Sequence, residues 1–403
     1  MELKKYFQNL KNLKIRLRKT KMKEFSHSQI KDIYEKRIKK VVDYLIENSI
    51  GAAVFIDNEN HREPAIRYFT GHSSDAVFII YNTGSSVLIP WDIILAENFA
   101  ICKKIIPFTR YKNSTIDALK ANLNTQVQIK QKKVEIPPST PYPEFLKIVD
   151  TLDEWDVRCR ENGVHKMVTE MRMIKDEYEI ECTREACRIG DVIFEGIQKE
   201  VSEGKIKTET DVALYIERKL RENDCERTGF DTLAAGPQRS WAIHCFPNYT
   251  SGPWPAKGLS LLDFGVVYKG YTSDQTITIA KKPLLDDQLK LIQIVQNAFD
   301  ECLKLYRPNH LIKTAAEKAN KIFSAYGLRM PHTLGHGIGL EIHEYPRVSA
   351  SLGEDLKFQP GMILTLEPGL YDEELGGCRL ENDILITEDG NEVLTHSKIL
   401  VLE

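Results

Sequence analysis

Along Leu261–Ile279, LLDFGVVYKGYTSDQTITI, apolar and β-branched residues flank a Tyr-Lys-Gly centre on both sides. The pattern predicts two strands around a tight turn at Tyr268–Gly270. Each arm carries one aspartate, Asp263 and Asp274, eleven residues apart. Counted inward they meet at the turn, so the hairpin is expected to set them opposite each other, with Cβ atoms about 5 Å apart. Upstream, Ser28 is read as the cap of a helix carrying Ile30, Ile33, Ile38, Val41, Val42 and Leu45, stopped by Gly51. Short apolar runs at Ala52–Ile56, Ala76–Tyr81 and Ser86–Trp91 predict strands mixed with helices, hence a small α/β domain. Ala65–His72, AIRYFTGH, reads as a strand–turn piece. Four prolines between Pro137 and Pro143 stiffen a loop before a helix near Tyr142–Asp156, and polar Arg160–His165 marks a hinge. Beyond it, a helix over Asp176–Val201 and another from Thr208 precede the hairpin. Helices near Asp286–Tyr306 and Ile312–Tyr326 precede a second set of strands. This repetition predicts an α+β domain with a weak internal duplication.

Two carboxylates held close together repel unless a proton or a cation lies between them. The bland alternative, one aspartate hydrogen-bonded in the core and one solvated, leaves their pairing unexplained. More ligand-type residues follow in similar surroundings. PHTLGHGIGLEIHE sets His336 between two glycines, ILTLEPGLY ends a strand on Glu367, and GGCRLENDILIT carries Arg379 and Glu381. Asp263, Asp274, His336, Glu367 and Glu381 make four carboxylates and one imidazole, too much negative charge for one divalent ion. The oxygen-rich set suits manganese or a similar borderline-hard metal better than a thiolate zinc site. Two cations sharing bridging carboxylates satisfy the charge count.

The order Asp, eleven residues, Asp, then His in a glycine-rich run, Glu-Pro-Gly and Arg-x-Glu resembles the pita-bread metallopeptidases. Methionine aminopeptidase, aminopeptidase P and prolidase belong to that family. Met171–Ile189 resembles the opening helix of its proline-specific branch, and the likeness runs from about Lys166 to the end. The upstream region, with AIRYFTGH as its signature piece, resembles more weakly a creatinase-type N-terminal domain. After a basic segment at 1–25, read from its run of lysines and arginines, the resemblance implies a creatinase-type domain at 26–162 and a pita-bread domain at 165–403. It also implies a homodimer and hydrolysis of the Xaa-Pro bond at a free N-terminus, by a prolidase or an aminopeptidase P. Two divalent ions are implied, manganese first and cobalt or zinc as alternatives, with Asp274 and Glu381 bridging. Glu367 is then the carboxylate that takes a proton from water, and His343 and His244 are donors to the oxyanion. His332 faces the substrate or is structural. Arg379 contacts substrate or, preferably, supports a ligand. Trp241, Phe246 and Tyr371 are candidates for the wall around a proline ring. Three departures from the family pattern stand out: one extra residue before His244, Ile277 where relatives often carry Arg, and a short loop between His343 and Glu367 without an arginine cluster.

Composition narrows the alternatives. With 55 basic and 58 acidic residues and a net charge of −3, no global field points to nucleic acid or membrane. Eight scattered cysteines without a C-x-x-C pair suit a reduced, cytoplasmic protein. No apolar run reaches the roughly 18 residues needed to span a bilayer, and no signal-peptide core is expected. In the basic segment, Leu3, Phe7, Leu10, Leu13 and Leu17 fall near helical spacing, which favours a solvated helix with one packing face over a nucleic-acid contact. Arg347 stands where a zincin motif needs its second histidine, and neither a dinucleotide loop nor a P-loop occurs. Two other readings use the same fold: a creatinase-like amidinohydrolase and a non-catalytic binding protein. Those relatives have lost metal ligands, whereas all five are present here.

Overall fold

The computed structural model describes residues 22–126, 128–353 and 355–403, so the basic segment expected at 1–25 falls outside it as far as residue 21. One compact unit spans Phe25–Arg172, and a second combines the described residues up to Glu24 with Met173–Glu403.

In the first unit, α1 (His27–Glu47) begins two residues earlier than a cap at Ser28 implies. Ser26, and not Ser28, is the cap: its hydroxyl accepts from Gln29 N while the Gln29 side chain accepts from Ser26 N. The helix ends at Asn48, before Gly51. The strands β1 (Ala52–Asp57), β2 (Ala76–Tyr81), β3 (Ser86–Pro90), β4 (Lys133–Ile136) and β5 (Asp156–Cys159) form one sheet in the order β3-β2-β1-β4-β5. Between β1 and β2, Ala65–His72 is not a strand–turn piece but most of α2 (Pro64–Thr70). Pro64 supplies a preset first-turn φ, Glu63 caps Ala65 N, and Gly71 ends the helix at φ 75°. The remaining helices are α3 (Ile93–Phe99), α4 (Thr115–Asn124), α5 (Tyr142–Thr151) and α6 (Val164–Met173). A cleft of about 910 Å³ in this unit is lined by His61, Arg62, Asp75 and Ser139 among others, and Asp75 is paired there with Arg62 at 2.6 Å.

The second unit repeats one arrangement. Helices α7 (Glu177–Ser202) and α8 (Glu209–Arg221) are each opened by a capping box, Asp176/Glu179 and Thr208/Asp211. After β6 (Arg227–Thr228) and β7 (Leu233–Ala235) comes the hairpin: β8 (Gly258–Phe264), β9 (Val266–Tyr268), β10 (Tyr271–Thr272) and β11 (Gln275–Lys281). Helices α9 (Asp286–Leu303) and α10 (Ile312–Ser324) then precede β12 (Gly335–Gly337), β13 (Glu344–Val348) and β14 (Ile363–Leu366). The hairpin β15 (Gly369–Asp372) and β16 (Gly376–Arg379) leads to β17 (Asn382–Ile386), β18 (Asn391–Val393) and β19 (Leu400–Leu402).

The two larger sheets are ordered β19-β11-β8-β7 and β13-β12-β14-β17-β18, beside a smaller β10-β9-β6 sheet and the β15-β16 hairpin. Each half has its own apolar core under its helices. Ile193, Phe194, Val212 and Ile216 pack with Leu262 and Phe264, and Leu291, Val295, Ala315 and Phe323 pack with Leu364 and Ile384. Ile277, one of the three departures from the family pattern, lies fully inside the first of these cores. The halves join along β11 and the chain around β16–β17. Glu381 N donates to Thr276 O at 3.2 Å, and Thr278 Oγ1 exchanges hydrogen bonds with Arg379 N and O. This seam brings the two pairs of acids together.

Candidate metal centre

The hairpin turns on Lys269–Gly270, with φ 48° and 90°, so both central residues are left-handed as a two-residue I′ turn requires. Its ladder pairs Tyr268 with Tyr271 and Asp263 with Thr276. Asp263 and Asp274 are therefore not directly opposed: the register runs two residues past the expected one, and Thr276 faces Asp263. In the second half, Leu366 pairs with Asn382, so one further step along the ladder sets Glu367 against Glu381. Asp274 lies in the break between β10 and β11, where its backbone N–H donates to Asp383 Oδ2 at 2.9 Å.

His336 is fixed from two sides. Its backbone N–H donates to Thr365 Oγ1 at 3.1 Å, and Nδ1 lies 3.0 Å from Gly337 O. With Nδ1–H donating there, the Nε2 lone pair faces the acids, 3.5 Å from both Asp274 Oδ2 and Glu367 Oε1. Close packing depends on Gly335, where a Cβ would come within 2.1 Å of Thr365 O. Donor atoms of Asp274, His336 and Glu381 all lie within 4.8 Å of one another. Glu367 adjoins them through His336, and Asp263 lines the same cavity.

These groups are buried, and Arg379, paired with Asp263, offsets only part of their charge. Burial first, then Glu381 and the other acids, holds the Asp274 carboxyl well above the usual carboxylate range. Burial and Glu367 do the same to Glu381. Burial, with Asp263 adding and Arg379 opposing, pushes Glu367 up to about 8. Burial and the neighbouring His343 ring push His336 down to about 4, so it is a neutral imidazole. Oδ1 of Asp263 and Oδ1 of Asp274 are buried without a hydrogen-bond partner. Clustered anions with unspent lone pairs beside a neutral imidazole fit divalent cations, and the single nitrogen among oxygens suits a borderline-hard ion.

The acids open into a cavity of about 360 Å³. Phe230, Leu233, Ile243 and Ile342 give it apolar walls, and His244, His332, His343 and Arg347 give it polar ones. The chain matches the model of metallopeptidase family M24 over residues 181–388. It is 32% identical to the Xaa-Pro dipeptidase of Pyrococcus horikoshii over 372 residues, 91% of this chain and 99% of that one. The chain belongs to family M24. Its fold is the pita-bread fold behind an N-terminal domain, as in the solved prolidase of Pyrococcus horikoshii OT3. That structure matches with a TM-score of 0.78 and 27% identity, over 90% of this chain and 99% of that one. The X-Pro aminopeptidase of Thermotoga maritima MSB8 matches with a TM-score of 0.77 and 26% identity, over 91% and 100%.

In this M24 chain the Arg379 guanidinium is 2% exposed and fully engaged. It donates to Asp263 Oδ2 at 2.6 Å, Thr276 Oγ1 at 2.9 Å, Tyr371 OH at 2.7 Å and Ile243 O at 3.2 Å. Both nitrogens of His332 are engaged as well, Nδ1 with Thr333 O at 2.8 Å and Nε2 with Tyr371 OH at 3.0 Å. His343 packs edge-on against His336, ring centroids 4.4 Å apart. His244 is exposed at the rim. Two of the expected wall residues are elsewhere: Phe246 is 91% exposed, and Trp241 turns its indole N–H to Gln238 O. Tyr371 is spent on Arg379 and His332.

Four contributors escaped the sequence reading: Thr276, Thr365, Asp383 and Arg347. Thr276 Oγ1 donates to Glu381 Oε2 at 2.6 Å and accepts from Arg379 Nε, so one hydroxyl supports Glu381 directly and Asp263 through Arg379. The period of two along β11 held the signal, since Thr276 shares a strand face with Asp274. Thr276→Val keeps the shape and removes the hydroxyl. Metal affinity is expected to fall by roughly 10–100-fold, the usual cost of losing a ligand's support, as read by competition against a fluorescent chelator. Unchanged affinity would refute this role.

Among the described residues no helix is long and apolar enough to cross a membrane, and all eight cysteines are free.

Proposed function

We propose that this protein is a two-metal exopeptidase that hydrolyses the Xaa-Pro bond at a free amino terminus. The observation that carries this reading is the buried cluster of acids around His336, at the floor of a cavity with apolar walls and an open rim. The named relatives favour it over a creatinase-like amidinohydrolase or a non-catalytic binding protein. Asp263, Asp274, His336, Glu367 and Glu381 hold the ions, manganese first and cobalt or zinc as alternatives. The bound pair supplies Lewis acidity, polarising the scissile carbonyl and acidifying water.

The chain's own residues do the rest. Glu367, which lines the cavity 3.5 Å from His336 Nε2, is the carboxylate that takes a proton from water and passes it on. His343 and His244 line the cavity and donate to the oxygen on which charge develops. His332 has no spare donor: Arg379 donates to Tyr371, and the Tyr371 hydroxyl donates to His332 Nε2. Its place is therefore to orient the rim beside Glu367, 3.7 Å away, and not to bind substrate directly. Arg379 fixes Asp263 and Thr276 and is likewise a positioning residue. Phe230, Leu233, Ile243 and Ile342 replace the expected aromatic trio as the surroundings of a proline ring. Arg347 is the cavity's other cation and is placed to meet a free carboxylate, which favours a dipeptide. A cytoplasmic homodimer completes the proposal.

The test is hydrolysis by manganese-loaded protein of Ala-Pro, a Xaa-Pro tripeptide and a proline-free peptide. Cleavage of the first alone makes the protein a dipeptidase. Release of Xaa from the second makes it an aminopeptidase P. Absence of any proline preference overturns the reading.

A further inference from the structure

We infer that Glu209 is a positioning residue for this reaction, acting through the loop that carries His244; this rests on the oxyanion role just proposed for that histidine. Glu209 is the first residue of α8 and only 1% exposed. An acid at a helix start ordinarily stays in solvent and faces the helix's own amides. Here that work is done by Thr208 and Asp211, and the Glu209 carboxylate is spent on another segment. Oε1 accepts from Gly236 N at 2.7 Å. Oε2 accepts from Thr250 N at 2.7 Å and from Thr250 Oγ1 at 2.6 Å, and it pairs with Arg239 Nη1.

Gly236 and Thr250 bracket a segment that contains neither helix nor strand, and Arg239 lies inside it. The second Arg239 amino group donates to Pro247 O. One buried carboxylate thus ties the start, the interior and the end of the loop. The cavity side of the same loop carries Ile243, His244 and Asn248. It is held there by Arg379, which bonds Ile243 O at 3.2 Å, and by Ala234 N, which donates to Asn248 O at 2.9 Å. His244 therefore hangs between two anchors, Glu209 behind the loop and Arg379 at the floor. A shift at the rear anchor displaces the imidazole without melting the loop. Misplacement by about 1 Å can cost on the order of 100-fold in rate.

The test is a double-mutant cycle on Ala-Pro hydrolysis, or on the tripeptide if that is the substrate cleaved. Glu209→Gln keeps the side-chain shape, removes the charge facing Arg239 and turns an acceptor into a donor. His244→Ala removes the group acted through. Glu209→Gln is expected to lower kcat by about 10–100-fold, with KM and bound metal close to wild type. The double variant is expected to be no slower than His244→Ala alone, within about threefold. Fully multiplicative losses would make Glu209 a general structural residue and overturn the inference. A silent His244→Ala beside an impaired Glu209→Gln would instead remove the oxyanion role of His244, and the inference with it. Should Glu209→Gln fail to fold, Thr250→Val and Arg239→Met each delete the loop's side of the contact, and the same cycle decides.

Discussion

Asp274→Asn is expected to abolish metal binding and activity together while making the metal-free protein more stable. Asp274 has the largest set of acidic neighbours in the cluster: Glu381, Asp263, Asp383 and Glu367 all raise its pKa, on top of burial. Asparagine keeps the volume and leaves the backbone bond to Asp383 Oδ2 in place. It removes the charge, however, and turns one lone-pair face into an N–H donor that no cation accepts. Hydrolysis should fall by on the order of 10³-fold or more, at least the scale of losing one preorganised electrostatic contact. Elemental analysis should find the metal lost. With less repulsion buried, the metal-free variant should melt above metal-free wild type, because removing an unpaired buried charge is stabilising. A variant that retained both ions and full turnover would show the ligand assignment to be wrong.

Chelation is expected to destabilise the protein far more at pH 8 than at pH 5. A carboxyl whose folded pKa lies above its unfolded value favours folding while it is protonated. Its contribution is complete below the unfolded pKa and is lost as pH rises through the folded one. For Glu367 that window runs from its ordinary value of 4.5 up to about 8, and Asp274 and Glu381 shift in the same direction. Cations bound to the ionised groups remove the penalty. The gap in melting temperature between metal-free and metal-loaded protein should therefore widen across this window, by on the order of 10 °C. The comparison must be a difference, because His396 also has a raised pKa through its pairing with Asp191 and loses its contribution as pH rises in both forms. A gap that stayed constant or narrowed from pH 5 to pH 8 would contradict the clustered-acid account.

The clustering of Asp274, His336 and Glu381 was legible in the sequence because strands announce themselves by alternation, and acids inside apolar strands stand out against it. The helix start at Thr208 was equally local, its capping box written in four consecutive positions. Non-local features were harder to read. The two-residue offset of the hairpin depends on a left-handed Lys269, which residue preferences do not favour over Tyr268 as part of the turn. That offset is what brings Thr276, and not Asp274, opposite Asp263. Ala65–His72 is rich in aromatic and β-branched side chains and so looked extended, yet Pro64, Glu63 and Gly71 set its helix. The walls of the cavity differ from the expected ones for another reason. Trp241 and Phe246 lie close to His244 in sequence, but the loop turns them outward, and Phe230 and Leu233 reach the cavity from chain further back.

Beside His343, the side chains of Lys175 and Glu344 meet at 3.1 Å with 1% and 4% of their surfaces exposed. Glu344 also accepts from Glu341 N, which closes the turn that presents the histidine. Separating a buried pair of this kind costs about 3–5 kcal/mol, whereas replacing both partners together by well-packed apolar groups is often neutral. In evolutionary terms the two positions are linked across 169 residues of chain. A lineage that changes one passes through an intermediate with a stranded charge under its histidine turn, so substitutions here should be inherited as couples. Descendants of this sequence would then carry the lysine and the glutamate together, or neither.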